Sequence, residues 1–465
     1  MATKTRYKSN PLNDNSCFRL VVKFYARSGL PYGEQKEVEH FFLKNQIIPW
    51  PQLTEKFTGI SIDKLFTSVS SSQVKDWVRR AAISDPSYKS PDFFSYYSIS
   101  WKNNIRVKSL VRMLKSCEQV ELVYYQHGPV NPPAIMEEKP RMLTQNYFKP
   151  APDGLDFNYA SKLPGGNGHG NVRLIDIEQG WILDHEDIQA NTLDCTGINS
   201  PHHADHGAAV LGILTMKGNA IKGIVPQVKV YVISQWRGNG EPNTADAVMA
   251  AIHHLKYGDV LLLEVQTSLS NPPDKLWPVE AEDAVWEAIR LATALGIIVI
   301  EAAGNGSLSL WTGNDLDQLA LRNKRVLNPD DKAFRDSGAI MVAAEDSTML
   351  HRRVFSSNYG KRINCYALGQ GVWTAGSYPQ SSNGALDNYS RNFGGTSSAA
   401  AIIAGAAIAI QSIYEKKFSK RIGPLEMRAL LSSERNCTPS CNGLKKDKIG
   451  GMPDLRKILD SICKL

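Results

Sequence analysis

The chain has 465 residues, which is long for one domain and suits two or three. Apolar residues make up 42% and charged residues 21%, which excludes a disordered or low-complexity chain. The longest strongly apolar run, 399–410, falls short of the roughly 20 residues that cross a bilayer, so no membrane span is expected. The first thirty residues are basic but carry neither an apolar stretch nor a small-residue cleavage site. A secretory signal is therefore not expected, and the expected location is cytoplasmic, with export by a non-standard route left open.

The formal charge of +7 is unevenly spread. Residues 1–127 hold 19 Lys and Arg against 11 Asp and Glu, while the remainder holds 34 against 35. The basic section has no zinc-finger spacing, RNP-like aromatic motif or dense Lys/Arg run, so nucleic acid is not an expected partner. An acidic face elsewhere in the same protein is a simpler one. Seven cysteines in a chain of this length favour free thiols over a disulfide framework. Cys437 and Cys441 flank a short loop, but no second Cys/His pair follows at zinc spacing.

In chain order, 18–24 reads as a strand, 74–83 as a helix, 95–101 as an alternating strand, 105–117 as a helix and 120–126 as a closing strand. These suggest a small α+β domain over 1–127. Residues 128–154 are proline-rich and lack periodicity, as a linker would. From 171 the rhythm changes. Near-continuous apolar strands at 171–178, 228–234, 259–266 and 297–305 alternate with helices beginning near 206, 246 and 281. Such alternation predicts a parallel sheet with helices on both faces, a doubly wound α/β domain over 155–465. Ligands of such sheets bind beyond the carboxyl ends of the strands, where Asp176 and Asn305 fall.

Three segments carry candidate chemistry. Asp176 ends a buried strand in LIDIEQGW, His206 opens a helix in DHGAAVLGIL, and Ser397 opens another in FGGTSSAAAIIAGAA; Asn305 lies between the last two in EAAGNG. A serine hydroxyl is a weak nucleophile until an imidazole within hydrogen-bond reach takes its proton. A carboxylate on the other ring nitrogen fixes the tautomer and stabilises the imidazolium. The developing oxyanion needs oriented donors, which a side-chain amide and a helix N-terminus supply. Taken singly, each residue has a plainer role: a strand-end carboxylate, a helix cap, a turn former, an N-cap serine. Their joint occurrence in this order favours a catalytic set.

On these motifs the sequence resembles the subtilisin-like serine peptidases, the subtilases. The resemblance covers about 155–465 and rests on GGTSSAAAIIAGAA, HGAAVLG, LIDIEQGW, AAGN and the turn GIVP at 223–226. It implies Ser397 as nucleophile, His206 as base, Asp176 as the acid and Asn305 as the oxyanion amide. It implies a serine endopeptidase acting through an acyl-enzyme on a protein or peptide substrate. It also implies that 1–127 is a ferredoxin-like propeptide or regulatory domain, an intramolecular inhibitor, with autocleavage within about 126–150. Around the acid the family has Asp-Thr-Gly or Asp-Ser-Gly where this chain has Asp176-Ile-Glu-Gln-Gly. The family's His-Gly-Thr-His becomes His206-Gly-Ala-Ala, and its proline four residues after the nucleophile becomes Ala401. These departures point to a divergent branch and keep an alternative open: a catalytically weak subtilase fold acting as a binding or regulatory module.

Other residues are read more plainly. Ser398 competes with Ser397, but the motif places the reactive serine directly after Thr396. His202 and His203 lack metalloprotease spacing and read as a solvated loop, so no metal site is expected there. A Glu serves as base in the related sedolisins; with His206 present, Glu178 is given a structural or rim role. Glu264 and Glu301, at strand ends, are expected to wall a substrate pocket, either favouring a basic substrate side chain or pairing with a neighbouring Lys or Arg. No cofactor is required. The resemblance leaves room for calcium near the acid-rich stretch 311–331, without a placed site.

Overall fold

Strands that each carry an apolar face need a partner layer, and the first section builds one from four strands. The computed structural model describes residues 17–130, 145–188, 192–218, 221–269, 273–347, 351–376 and 389–463. The chain divides into two compact units: residues 1–67, 91–128 and 268–275 form one, and 68–90, 129–267 and 276–465 the other.

In the smaller unit, strand β1 (Cys17–Phe24) is followed by helices α1 (Gln35–Asn45) and α2 (Trp50–Lys56) and by β2 (Ile60–Lys64). Strand β3 (Tyr96–Trp101), helix α4 (Val107–Lys115) and strand β4 (Val120–His127) complete it, after α3 (Ser71–Ser84) in the β2–β3 connection. The sheet order is β2-β3-β1-β4 and every pairing is antiparallel, which is the expected ferredoxin-like arrangement. Leu20, Val22 and Phe24 on β1 face Val38 and Phe42 on α1 and Leu110 and Leu114 on α4 in one buried cluster. Periodicity in the sequence marks β1, β3, α4 and β4; α1, α2 and β2 are elements it does not single out. Chain order puts α3 in the expected first domain over 1–127, whereas residues 68–90 belong to the larger unit.

There, α3 starts with a capping box between Ser70 and Gln73, packs on α8 (Asp283–Ala294) and meets α7 (Thr244–His254) where Gln73 and Trp77 contact His253. Ser68 donates from its backbone N to Asp246 Oδ1 at 2.9 Å, and its hydroxyl donates to the same carboxylate. Arg237 Nε pairs with Asp246 Oδ2 at 3.0 Å, and both side chains are buried. Arg290 meets Asp85 at 2.5 Å.

The large sheet comprises β5 (Arg173–Glu178), β6 (Thr192–Thr196), β7 (Lys229–Ser234), β8 (Val260–Leu263), β11 (Ile298–Ala302), β13 (Ile340–Glu345), β14 (Cys365–Leu368), β17 (Cys437–Pro439) and β18 (Gly451–Pro453). Its order is β17-β18-β14-β13-β11-β8-β5-β7-β6. All pairs are parallel except β17 with β18. The chain leaves β5 toward β6 and β7 on one side and returns through β8 toward β11 on the other. The carboxyl ends of β5 and β8 therefore flank the point where strand order reverses, which is where open α/β sheets place their ligands.

Helix α6 (Ala204–Thr215) and α9 (Gly395–Phe418) bring the remaining candidates to that edge. At 24 residues α9 is longer than the apolar run suggested, and by length and composition it would cross a membrane. Its apolar window is instead wholly buried inside the fold, because small residues such as Ala400, Ala404 and Gly405 let it serve as a central core helix.

Candidate active site

Glu178 is the last residue of β5, and His206 stands in the first turn of α6. Gly207 lets that turn approach closely: a Cβ there would meet Gly180 O at 2.3 Å and the Trp181 ring at 2.5 Å. His206 Nδ1 bonds Glu178 Oε1 at 2.5 Å, and its Nε2 faces Ser397 Oγ at 3.2 Å. Phe393 packs edge-on against the imidazole with ring centroids 5.3 Å apart. Glu178, His206 and Ser397 are all buried.

The carboxylate at His206 is therefore Glu178, where the sequence reading expected Asp176. Asp176 lies two residues earlier on β5 and accepts from Trp181 Nε1 at 2.7 Å through Oδ2; its Oδ1 has no hydrogen bond among the described residues. Burial, and then the Glu178 charge, push the Asp176 carboxyl well above the usual carboxylate range, against the smaller pull of Trp181. Asp176, with its raised pKa, thus stands beside the carboxylate that holds the histidine. For His206, burial pulls the imidazole pKa down. The Glu178 charge and hydrogen bond and the Asp205 charge outweigh it, and the net shift is upward.

Ser397 occupies the third position of α9, in the turn whose backbone N–H groups lack intrahelical acceptors. Ser398, the competing hydroxyl, donates instead to Leu368 O at 2.9 Å. Asn305 Oδ1 accepts from Thr396 N at 3.0 Å, which ties the amide to the start of α9. Gly395 has φ +74°, and a Cβ there would meet Asn305 Oδ1 at 2.7 Å, so glycine is required on both counts. Asn305 also bonds Gln266 Oε1, from its backbone N at 3.1 Å and from Nδ2 at 3.4 Å. Gln266 is not among the residues that the sequence motifs single out. Its signal is slight, a polar residue two positions after Glu264 at the end of an apolar run.

The two expected pocket carboxylates part company. Glu264 shares a small cavity with Ser397, Glu178, Gln179, Gln266 and Val130. Glu301 does not line it; its Oε1 accepts from Glu280 N at 2.9 Å, in a buried cluster where Arg362 Nε pairs with Glu280 at 2.7 Å. The alternating pleat explains the difference, since neighbouring strand-end residues point to opposite faces of a sheet. Val130, beyond β4, stands at the cavity, and its carbonyl accepts from Gln179 Nε2 at 3.1 Å. Most of the expected cleavage stretch, 131–144, lies outside the described residues. Among the described residues no cluster of three or more His, Cys, Asp or Glu has metal-binding geometry. In the acid-rich stretch, Asp317 pairs with Lys448 and Asp330 with Lys361.

A carboxylate, an imidazole and a hydroxyl in hydrogen-bonded series, with an amide at the same helix start, can perform acyl transfer. Comparison with known proteins agrees with this class of chemistry. The family model described as "Subtilase family" matches residues 177–442, a stretch that contains Glu178 and begins one residue after Asp176. No curated protein sequence matches the chain. Among solved structures, a lanthipeptide protease is similar with a TM-score of 0.50 at 18% identity, covering 69% of this chain and 95% of its own. Fervidolysin from Fervidobacterium pennivorans, a keratinolytic enzyme related to subtilisin, is similar with a TM-score of 0.51 at 17% identity, covering 86% of this chain and 61% of its own. At these identities the two structures speak to fold alone.

Proposed function

The chain belongs to the subtilase family and is a serine endopeptidase; on that premise we propose that it cuts peptide bonds with a Ser397–His206–Glu178 triad and is held in check by its own N-terminal unit. Ser397 Oγ attacks the scissile carbonyl as His206 Nε2 takes its proton. Glu178 holds the Nδ1–H tautomer and stabilises the imidazolium. Asn305 Nδ2 and the backbone N–H groups at the start of α9 receive the oxyanion. His206 then protonates the leaving amine, and water, activated by the same imidazole, hydrolyses the acyl-enzyme. A glutamate in place of the family's aspartate lengthens the acid arm by one methylene and leaves its chemical role unchanged.

The reading rests on one observation, the unbroken series Glu178–His206–Ser397 at 2.5 and 3.2 Å. Inhibition by the N-terminal unit is supported by Val130, which lines the cavity that holds Ser397 in the segment that follows β4. The substrate is a protein or peptide.

The test is the intact mass of the full chain after exposure to a fluorophosphonate, with Ser397→Ala alongside. A single adduct on the wild type only is expected, and limited trypsin cleavage in the linker should speed its formation. A wild type that takes no adduct before or after nicking would overturn the proposal.

A further inference from the structure

Two glutamates, not one, stand at the nucleophile. In the parallel pairing of β5 with β8, Ile177 lies opposite Leu263, so Glu178 and Glu264 are the next residues on adjacent strand ends. Both line the cavity that holds Ser397. Glu178 is engaged by His206, whereas Glu264 is 5% exposed and neither carboxyl oxygen has a hydrogen bond among the described residues. A buried carboxyl in that condition is costly, and the cavity wall offers it the Ser397 hydroxyl.

We propose that Glu264 is a positioning residue of the active site, a neutral carboxylic acid whose O–H hydrogen-bonds the Ser397 oxygen and leaves the serine's own proton for His206. The proposal rests on the Ser397–His206–Glu178 reading. Burial first, then the charges of Glu178 and Asp176, raise the Glu264 pKa well above the ordinary glutamate value; the nearby Ser397 hydroxyl opposes this only in part. The groups around it are Glu178 and Asp176 from β5, Ser397 from α9 and Gln266 from the following strand. Glu301 on β11 is turned to the Glu280 amide. None of them is a cation that would favour an ionised Glu264. A basic substrate side chain therefore finds a neutral acid here, not the anionic pocket the strand-end position suggested.

The protonation state decides what Glu264 does. As a neutral acid it donates to Ser397 Oγ and fixes the hydroxyl with its proton aimed at Nε2. Once ionised it can only accept, so it competes with Nε2 for that proton. It also sets a negative charge beside the position where the oxyanion forms. Activity then requires neutral His206 and neutral Glu264 together. The rising limb of the pH profile belongs to His206 and the falling limb to Glu264.

The experiment follows fluorophosphonate labelling of the full-length chain against pH by intact mass, for wild type, Glu264→Gln, Glu264→Leu and Ser397→Ala. A wild-type rate that falls on the alkaline side, a Gln variant without that fall, and a Leu variant slower at every pH are the expected results. Infrared difference spectra of wild type minus Glu264→Gln at neutral pH supply a readout independent of activity, and a protonated-carboxyl carbonyl band is expected. An alkaline limb unchanged in the Gln variant, or absence of that band, overturns this inference while the triad stands. A wild type that takes no adduct at any pH, nicked or not, overturns the triad reading and this inference with it.

Discussion

At the residue scale the deciding contact is the one between His206 and Glu178. Glu178→Ala should lower kcat by about 10⁴-fold, the loss found when the group that orients such a histidine is disabled. Asp176→Asn keeps the shape of the side chain and leaves the Glu178–His206 contact in place, and should cost less than about tenfold. Steady-state kinetics on a peptide substrate would check the contrast, and equal losses would contradict it. The pH dependence carries its own sign. In the proposed triad His206 works as a neutral base; against the lowering by burial, Glu178 raises its pKa above 6.5, so activity should appear only as pH climbs through that raised value. Glu178→Gln removes the raising charge while burial still lowers the pKa, so the acidic limb should move to lower pH. Part of this was legible in the sequence. The family spaces its acid two residues before a glycine, and Glu178-Gln179-Gly180 keeps that spacing whereas Asp176 stands four residues before Gly180. Residue type argued for the aspartate; spacing argued for the glutamate, and the packing of Trp181 onto Asp176 agrees with spacing.

At the element scale, the start of α9 is built around two residues that cannot be exchanged freely. Gly395→Ala puts a Cβ at positive φ and against Asn305 Oδ1. The substitution should therefore misplace the oxyanion amide and approach the loss of Asn305→Ala, about 10²–10³-fold in kcat. Unchanged KM with reduced kcat would identify the effect as one on the transition state. The glycine pair and the small residues after Ser397 announced this helix start plainly. The Gln266 support of Asn305 did not announce itself, because β8 and β11 meet through pairing that no local pattern encodes.

At the scale of the whole molecule, the connection between β2 and β3 belongs to the larger unit, and its Ser68 closes over the buried Arg237–Asp246 pair. Arg237→Ala should destabilise by about 3–5 kcal/mol, since it leaves Asp246 buried without its cation. Thermal unfolding would register the loss, and a double variant with Asp246→Asn should recover part of it. Local periodicity identified α3 as a helix. Its allegiance to α7 and α8 was not legible, because Ser68, Asp85, Asp246 and Arg290 are ordinary polar residues until folding brings them together.

The sequence by itself determined the class of protein: apolar strands alternating with helices, and the family's serine, histidine and asparagine motifs in order along the chain. These are local signals, set by side-chain period and by the glycines that permit tight turns. Only the tertiary structure decided which carboxylate bonds His206, which glutamates share a cavity with Ser397, and which unit holds α3. Each of those is a contact between residues distant in sequence, fixed by strand register and by the desolvation and charge that surround a side chain once it is buried.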